Sequence, residues 1–341
     1  MNKIDATNSG FMDKREANHV PLTPLSFLTR AADIYPDRTA VIYGNLRYSW
    51  AQIYERAVRL ASALVKAGVK PGEVVTVMAP NLPAMFEAHF GVAMAGAVLN
   101  TLNTRLDIST IAYILDHADT KILISDTAFS ATMREALEQS PNTSITVIDI
   151  VDEQDADSTA GAHLGDTDYE AFIAGGDADF AWQMPTDEWA AMALNYTSGT
   201  SGRPKGVVYH HRGAYLMAMG TIPVWNMPMH PTYLYVVPMF HCNGWGHAWM
   251  MAILAGTVVC CRKIAAEIIY PLLHDHKITH FGGAPIVLSL LVNAPEDVIQ
   301  KPDWPVNAMT AGAPPPAAAP APAPAPAAAA PARRRAGTRR A

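Results

Sequence analysis

Only three cysteines occur, Cys242, Cys260 and Cys261. They are odd in number and form no repeated CxxC pair, which excludes a disulfide framework and a cysteine-based zinc site and fits a reducing, cytoplasmic setting. Charge is also sparse, at 16% of residues against 50% apolar. Of the 25 basic residues, Arg333, Arg334, Arg335, Arg339 and Arg340 fall in the last nine positions. Removing those five positive charges from the formal net charge of −6 leaves the rest of the chain at about −11. An acidic body of that kind excludes a general nucleic-acid binder. No apolar run approaches the ~18 residues of a membrane span, and the polar N-terminus MNKIDATNSGFMDKREANH carries no signal-type apolar stretch. Internal repeats are absent as well.

What is present is enough apolar material to bury a sizeable core in one large domain or two smaller ones. Residues 1–20 read as a flexible arm, and the first buried pattern begins with Leu25, Phe27 and Leu28. From Trp50 to Ala67, the positions Ile53, Ala57, Leu60 and Leu64 recur at spacings of four and three, which predicts a helix ending at Gly68. Strand-like runs from Glu73, at Lys121 to Ser125 and at Ser144 to Ile150 alternate with helix-like ones at Met85 to Ala95 and Ile108 to His117. That alternation predicts an α/β fold of stacked β-α-β subdomains around mostly parallel sheets.

The acidic, Gly/Ala-rich stretch from Asp152 to Asp179 reads as a surface excursion between two units of about 21–180 and 181–316. Further strands are expected at Tyr233 to Pro238, Thr257 to Cys261 and Thr279 to Gly282, with a helix from Ile286 to Val292. Residues 317–341 read as a low-complexity, disordered tail, since alanine and proline offer almost no area to bury.

The segment YTSGTSGRPKG, Tyr196 to Gly206, carries the chemistry. Thr197, Ser198, Gly199, Thr200, Ser201 and Gly202 put hydroxyls beside flexible glycines, and Lys205 adds a mobile positive charge. Glycines let the backbone approach a phosphate while hydroxyls and N–H groups donate to its oxygens, so a triphosphate suits the loop. The pattern is neither GxxxxGK followed by Ser or Thr nor GxSxG, which removes the common P-loop and the hydrolase elbow. By itself a Ser/Thr/Gly run is more often a linker or turn; the full eleven residues are far more specific.

Those eleven residues resemble the phosphate-binding signature of the adenylate-forming, AMP-binding superfamily, in its acyl-CoA synthetase branch. VVPMFHCNGWGHAW from Val236, THFGGAPIVL from Thr279 and MTAGAPPP from Met309 extend the match. Two upstream segments, LTPLSFLTRAADIYPDRTAVIYG and APNLPAMFEAHFGVAMAGAVLNTLNTRLD, are similar to ligases of short- or medium-chain, methylthiopropionate-type or aromatic acids.

The resemblance implies an ATP-dependent acid–thiol ligase that forms an acyl-adenylate and then an acyl-CoA, with Mg2+ as cofactor and a carboxylic acid, ATP and coenzyme A as partners. It implies Lys205 and His241 as catalytic candidates. Gly312, Ala313 and Pro314 would lie against the nucleotide, and His241, Asn243, Trp245, Gly282 and Gly283 would line the substrate pocket. Taken alone, His241 and Trp245 read more readily as core residues at a strand end; beside the loop motif the pocket reading is favoured.

His210 and His211 read as surface or loop-packing residues, lacking partners at metal-ligand spacing. The family pattern stops after Pro316, before its YGLTET-like motif, ribose-binding Asp and lysine-bearing C-terminal domain. The expectation is therefore a frameshifted or truncated chain of weak or no activity. The alternative is a non-catalytic nucleotide- or acyl-binding protein. Oligomeric state and the identity of the acid stay open.

Overall fold

A computed structural model of the chain describes residues 13–197 and 203–310. In chain order it runs α1 (Leu25–Ile34), β1 (Thr39–Tyr43), β2 (Leu46–Ser49), α2 (Trp50–Lys66), β3 (Val74–Met78), α3 (Pro83–Met94), β4 (Val98–Thr101) and α4 (Ile108–His117). There follow β5 (Thr120–Asp126), α5 (Ser130–Gln139), β6 (Thr146–Ile150), α6 (Ala156–Thr159), α7 (Tyr169–Ala174), β7 (Ala191–Thr197), β8 (Lys205–His210) and α8 (His211–Val224). The last elements are β9 (Thr232–Tyr235), α9 (His247–Ile253), β10 (Thr257–Cys260), α10 (Ala266–Asp275), β11 (His280–Gly283), α11 (Pro285–Val292) and β12 (Asn307–Thr310).

The predicted helix after Trp50 forms as α2, and its start has a local cause. Ser49 accepts from the Gln52 N–H while the Gln52 side chain accepts from the Ser49 N–H, so two donors at the open end are met reciprocally. Its apolar stripe of Ile53, Ala57, Leu60 and Leu64 is fully buried. All twelve residues of α3 are buried as well, which is why its sequence shows no polar face.

The strands make two six-stranded sheets. One has the order β6-β5-β3-β4-β7-β8 and the other β12-β11-β9-β10-β1-β2. Each is parallel except for one antiparallel edge pair, β7 with β8 and β1 with β2. Strands from both sides of residue 180 enter each sheet, because the chain starts in the second sheet, builds the first, and returns. A single large core of α1, α2, α3 and α9 side chains joins the inner faces of both sheets.

One expectation is corrected and one gains detail. Residues 152–179 lie mostly exposed at the surface, and four of their acids, Asp152, Asp155, Asp157 and Glu170, meet basic partners in the body. Arg262, after β10, bridges Asp126 at 2.6 Å, Asp152 at 3.1 Å and Asp155 at 3.3 Å, while Tyr43 donates to Asp152. Arg56 likewise joins Glu87 and Glu170, each at 2.6 Å, and the Tyr169 hydroxyl donates to Glu87 at 2.8 Å. The segment expected to be a strand to Pro238 leaves the ladder at Tyr235, because a side chain captures its next carbonyls, as described below.

Asp126 is fully buried and Arg262 is nearly so. Removing the guanidinium would strand a buried carboxylate. Arg262→Ala is therefore expected to cost about 3–5 kcal/mol, read as a lower urea midpoint at unchanged slope in equilibrium unfolding.

Candidate functional site

The β7–β8 hairpin places the phosphate-loop candidates. Thr197 and Lys205 are directly paired across the antiparallel ladder, so they close the mouth of the connecting loop, and both are exposed. Ser198, Gly199, Thr200, Ser201 and Gly202 lie outside the described residues, as do Gly312, Ala313 and Pro314. The hairpin is anchored to α4: the Tyr196 hydroxyl meets His117 Nδ1 at 2.7 Å, and the Arg203 guanidinium stands over the Tyr113 ring. Because β7 runs parallel to β4, the loop leaves the carboxyl end of the sheet, where open α/β sheets present their ligand crevices.

The second candidate segment crosses from one sheet to the other and is fastened on the way. Asn81, between β3 and α3, donates to the Tyr235 and Val237 carbonyls at 2.7 and 3.0 Å and accepts from the Met239 N–H at 2.7 Å. Thr101 at the end of β4 donates to the Phe240 carbonyl at 2.8 Å, and Asn195 on β7 donates to Thr101 at 2.6 Å. His241 is thereby set beside the strand that ends in Thr197.

After His241 the backbone enters the left-handed region for five residues in succession, Cys242 at φ 49°, Asn243 at 49°, Gly244 at 58°, Trp245 at 58° and Gly246 at 67°. Non-glycine residues cost about 1–2 kcal/mol each in such a conformation, so the turn has to be held. The Tyr235 hydroxyl donates to the Gly244 carbonyl at 2.9 Å, and Tyr233 meets His247 Nδ1 at 2.6 Å beneath it. A Cβ on Gly244 would overlap the Tyr235 hydroxyl, so only glycine fits there.

The predicted pocket residues divide. His241 is exposed, with Nε2 3.7 Å from Cys242 Sγ. That sulfur holds the His241 pKa above its ordinary value against partial desolvation. Trp245 is half-buried, edge-on to His247. Asn243 is fully buried, and neither polar atom of its amide has a hydrogen-bond partner among the described residues. A Cβ on Gly282 would come within 3.3 Å of Tyr233, His247 and Val237, a tight fit, and Gly283 pairs with Thr310 at the start of the predicted nucleotide-facing turn.

His210 ends β8 and its ring accepts the Gly213 N–H, capping α8, and His211 is buried against Thr23 of the segment before α1 at 2.8 Å. Asn81, Thr101 and Asn195 were not foreseen, because their partners lie far away in sequence. A cavity of about 740 Å³ lined by Tyr43, Leu82, Asp152 and His163, among others, contains none of the predicted residues. The candidate site is an open sheet edge among the described residues.

The donor set fits a polyanion: a hydroxyl and an ammonium face each other at an exposed mouth. No group of three or more His, Cys, Asp or Glu that could hold a metal ion occurs among the described residues. No helix there is long and apolar enough to cross a membrane.

Comparison with known proteins gives a consistent picture. A family of AMP-binding enzymes matches residues 28–323. The chain is 46% identical over 314 residues to the peroxisomal acetate/butyrate–CoA ligase of Arabidopsis thaliana, covering 89% of this chain and 55% of that protein. It is 45% identical over 310 residues to the peroxisomal benzoate–CoA ligase of the same plant, covering 89% and 53%. The chain thus spans about half the length of the curated relatives it matches. In structure it is similar to the inhibitor-bound N-terminal domain of FACL13 from Mycobacterium tuberculosis, with a TM-score of 0.75, 23% identity and coverage of 87% of this chain and 71% of that one.

The buried histidines give a pH dependence. Desolvation pulls His247 down to about 3 and His89 and His211 down to about 4. The unfolded chain takes up these protons near pH 6.5 and the folded chain does not, so the stability is complete above 6.5 and falls as pH drops toward 4. Each histidine contributes up to about 1.4 kcal/mol per pH unit. Thermal unfolding between pH 7.5 and 4.5 is expected to show this decline, and His211→Gln to flatten it.

Gly244→Ala is expected to displace the turn and to lower the melting temperature by several degrees, at a cost of about 2 kcal/mol or more from the steric clash and the left-handed φ. Differential scanning calorimetry measures it.

Proposed function

Since the chain belongs to the family of AMP-binding enzymes, we propose that it binds ATP and a small carboxylic acid in the acid–thiol ligase reaction, forming an acyl-adenylate and then an acyl-CoA. The observation that carries this reading is the meeting of two segments at one sheet edge. Thr197 and Lys205 flank the phosphate loop, and the His241 segment is fastened to β7 and β4 two residues from Thr197.

The chemistry asks for charge neutralisation. A carboxylate oxygen attacks the α-phosphorus of ATP, the bond to the bridging oxygen breaks, and pyrophosphate leaves; coenzyme A then takes the acyl group on its thiol sulfur and AMP departs. Lys205 would hold phosphate oxygens as a mobile cation and Thr197 would donate to them. His241, exposed and held toward its charged form, would face the acid's carboxylate. Mg2+ belongs to the same proposal and would enter with the nucleotide's phosphates. The substrate class is a short- or medium-chain or aromatic acid; the named substrates of the relatives, acetate, butyrate and benzoate, support that range. The cytoplasmic placement is also part of the proposal. Relatives named peroxisomal make imaging of a tagged chain the deciding measurement.

The test is direct nucleotide binding together with ATP–pyrophosphate exchange over acetate, butyrate and benzoate. Nucleotide binding is expected, and Lys205→Ala is expected to weaken it at least tenfold, a loss of about 1.4 kcal/mol. Exchange is expected to be weak. A chain that neither binds ATP nor exchanges pyrophosphate with any acid overturns the reading.

A further inference from the structure

The chain divides into an acidic body and a basic end. Residues 311–341 carry five arginines, eight prolines and no acidic residue, while the remainder has a formal net charge of about −11. In the body, the cavity of about 740 Å³ is of a size to hold a small molecule or a few residues of peptide. Tyr43, Tyr48 and Tyr169 line it, together with the acids Asp152, Glu153, Asp168 and Glu170, and no lysine or arginine is among the lining residues. Its one histidine, His163, faces Asp149 at 3.3 Å. Asp152 and Glu170 are already paired with Arg262 and Arg56. Glu153, exposed, and Asp168, half-buried, have no basic partner among the described residues. The Arg56 guanidinium stands 4.8 Å from the centre of the Tyr48 ring, so this wall already stacks one arginine.

The chain leaves the described fold at the same end of the sheet as this cavity. Ile42 of β1 aligns through Val259, Leu234 and Phe281 with Ala308 of β12, all in parallel strands. Tyr43, on the cavity wall, follows Ile42 directly, and Thr310, the last described residue, lies two places past Ala308. Four strand spacings separate β1 from β12, a span of roughly 20 Å. A proline-rich chain rising ~3.1 Å per residue would carry Arg333 about 70 Å from Thr310, more than enough to cross it.

We propose that residues 311–341 dock in this cavity of their own chain, with prolines against the tyrosine wall and arginines on Glu153 and Asp168. Proline-rich segments suit aromatic-lined grooves because they lose little conformational freedom on binding. Arginine's planar fork pairs with carboxylates and stacks on tyrosine rings. Exposed ion pairs are individually weak, but a tether sets an effective concentration on the order of millimolar. A contact too weak to hold a free peptide is therefore occupied within the chain. The inference rests on the cavity, the strand register and the charge of residues 311–341, independently of the nucleotide and acid proposed above.

The test uses the full 341-residue chain and reads trypsin cleavage at Arg333 to Arg335, with a synthetic peptide of residues 311–341 as the undocked reference. At low salt the chain is expected to be cut about fivefold or more slowly than the peptide, since proteolysis follows the open fraction. The difference is expected to vanish at about 1 M sodium chloride, where charges are screened beyond ~3 Å. Glu153→Lys, at an exposed position, is expected to reduce the low-salt protection about threefold or more. Glu135→Lys, an equal charge change at an exposed position on α5, is expected to leave it. A chain carrying p-benzoylphenylalanine in place of Ala336 locates the contact. On irradiation at low salt, cross-links are expected within one chain, to the β1–β2 hairpin or to residues 150–170. Cleavage as fast as in the peptide, protection that persists at high salt, Glu135→Lys acting as strongly as Glu153→Lys, or cross-links that fall elsewhere or join two chains would overturn the proposal.

Discussion

The side chain of Asn81 holds the two halves of the candidate site in register. It makes three hydrogen bonds to one strand-like segment, at Tyr235, Val237 and Met239, from a position between β3 and α3 in the other sheet. An amide has two donors and an acceptor of two lone pairs, and here both donors and the oxygen are engaged in the interior. The consequence is geometric. Once residues 235–239 are bound to a side chain they cannot continue the β9 ladder, so the chain is steered out of its own sheet toward β4 and β7. There Thr101 and Asn195 receive the Phe240 carbonyl. Without that steering, His241 would have no reason to stand near the phosphate-loop hairpin.

The same fastening makes the left-handed turn affordable. Cys242, Asn243 and Trp245 are non-glycine residues in a region that costs about 1–2 kcal/mol apiece, a total of a few kcal/mol. Against this stand the three Asn81 bonds, the Tyr235 bond to Gly244 and the Tyr233–His247 pair, each contributing about 0.5–1.5 kcal/mol net. The two sums are comparable, so the turn persists because the aromatic bed below and the amide staple above over-determine it. Burying Tyr233, His247 and Trp249 in that bed also fixes the protonation state: a desolvated imidazole stays neutral, and the charge at the site is displayed outside, on Lys205 and Arg203.

Local pattern made much of the fold legible. The stripe of Ile53, Ala57, Leu60 and Leu64 identifies α2, the apolar run after Glu73 identifies β3, and β10 and β11 fall within a residue of where composition places them. Three features resisted, each for a physical reason. The β8 strand carries exposed Val207 and Val208 on a sheet edge and pairs antiparallel, so it shows neither alternation nor a helical stripe. The acidic stretch after Asp152 looks like solvent-facing loop until Arg262, more than a hundred residues later, arrives as its counter-charge. Asn81 is one polar residue before Leu-Pro, and its partners lie 154 to 158 residues away. Of the candidate site, the Ser/Thr/Gly motif, His241, Asn243 and Trp245 stand out in the sequence as residue types. The supports that place them were not, since they are single polar side chains acting over long sequence separations.

The handedness of the turn also explains why two adjacent side chains can work as a pair. Neighbours i and i+1 do not face each other on an α-helix, and on a strand they point to opposite faces. His241 is in the extended region, at φ −97° and ψ 119°, and Cys242 is in the left-handed one. That change of region between consecutive residues breaks the rule and brings imidazole and thiol within 3.7 Å. A right-handed or extended Cys242 would separate them. The contact between the two side chains is therefore coupled to the strained backbone, and the backbone in turn to Asn81. Loosening the staple would bear on the His241–Cys242 contact, because between β9 and α9 the segment belongs to neither sheet's ladder and is held by these side chains and a few local backbone bonds.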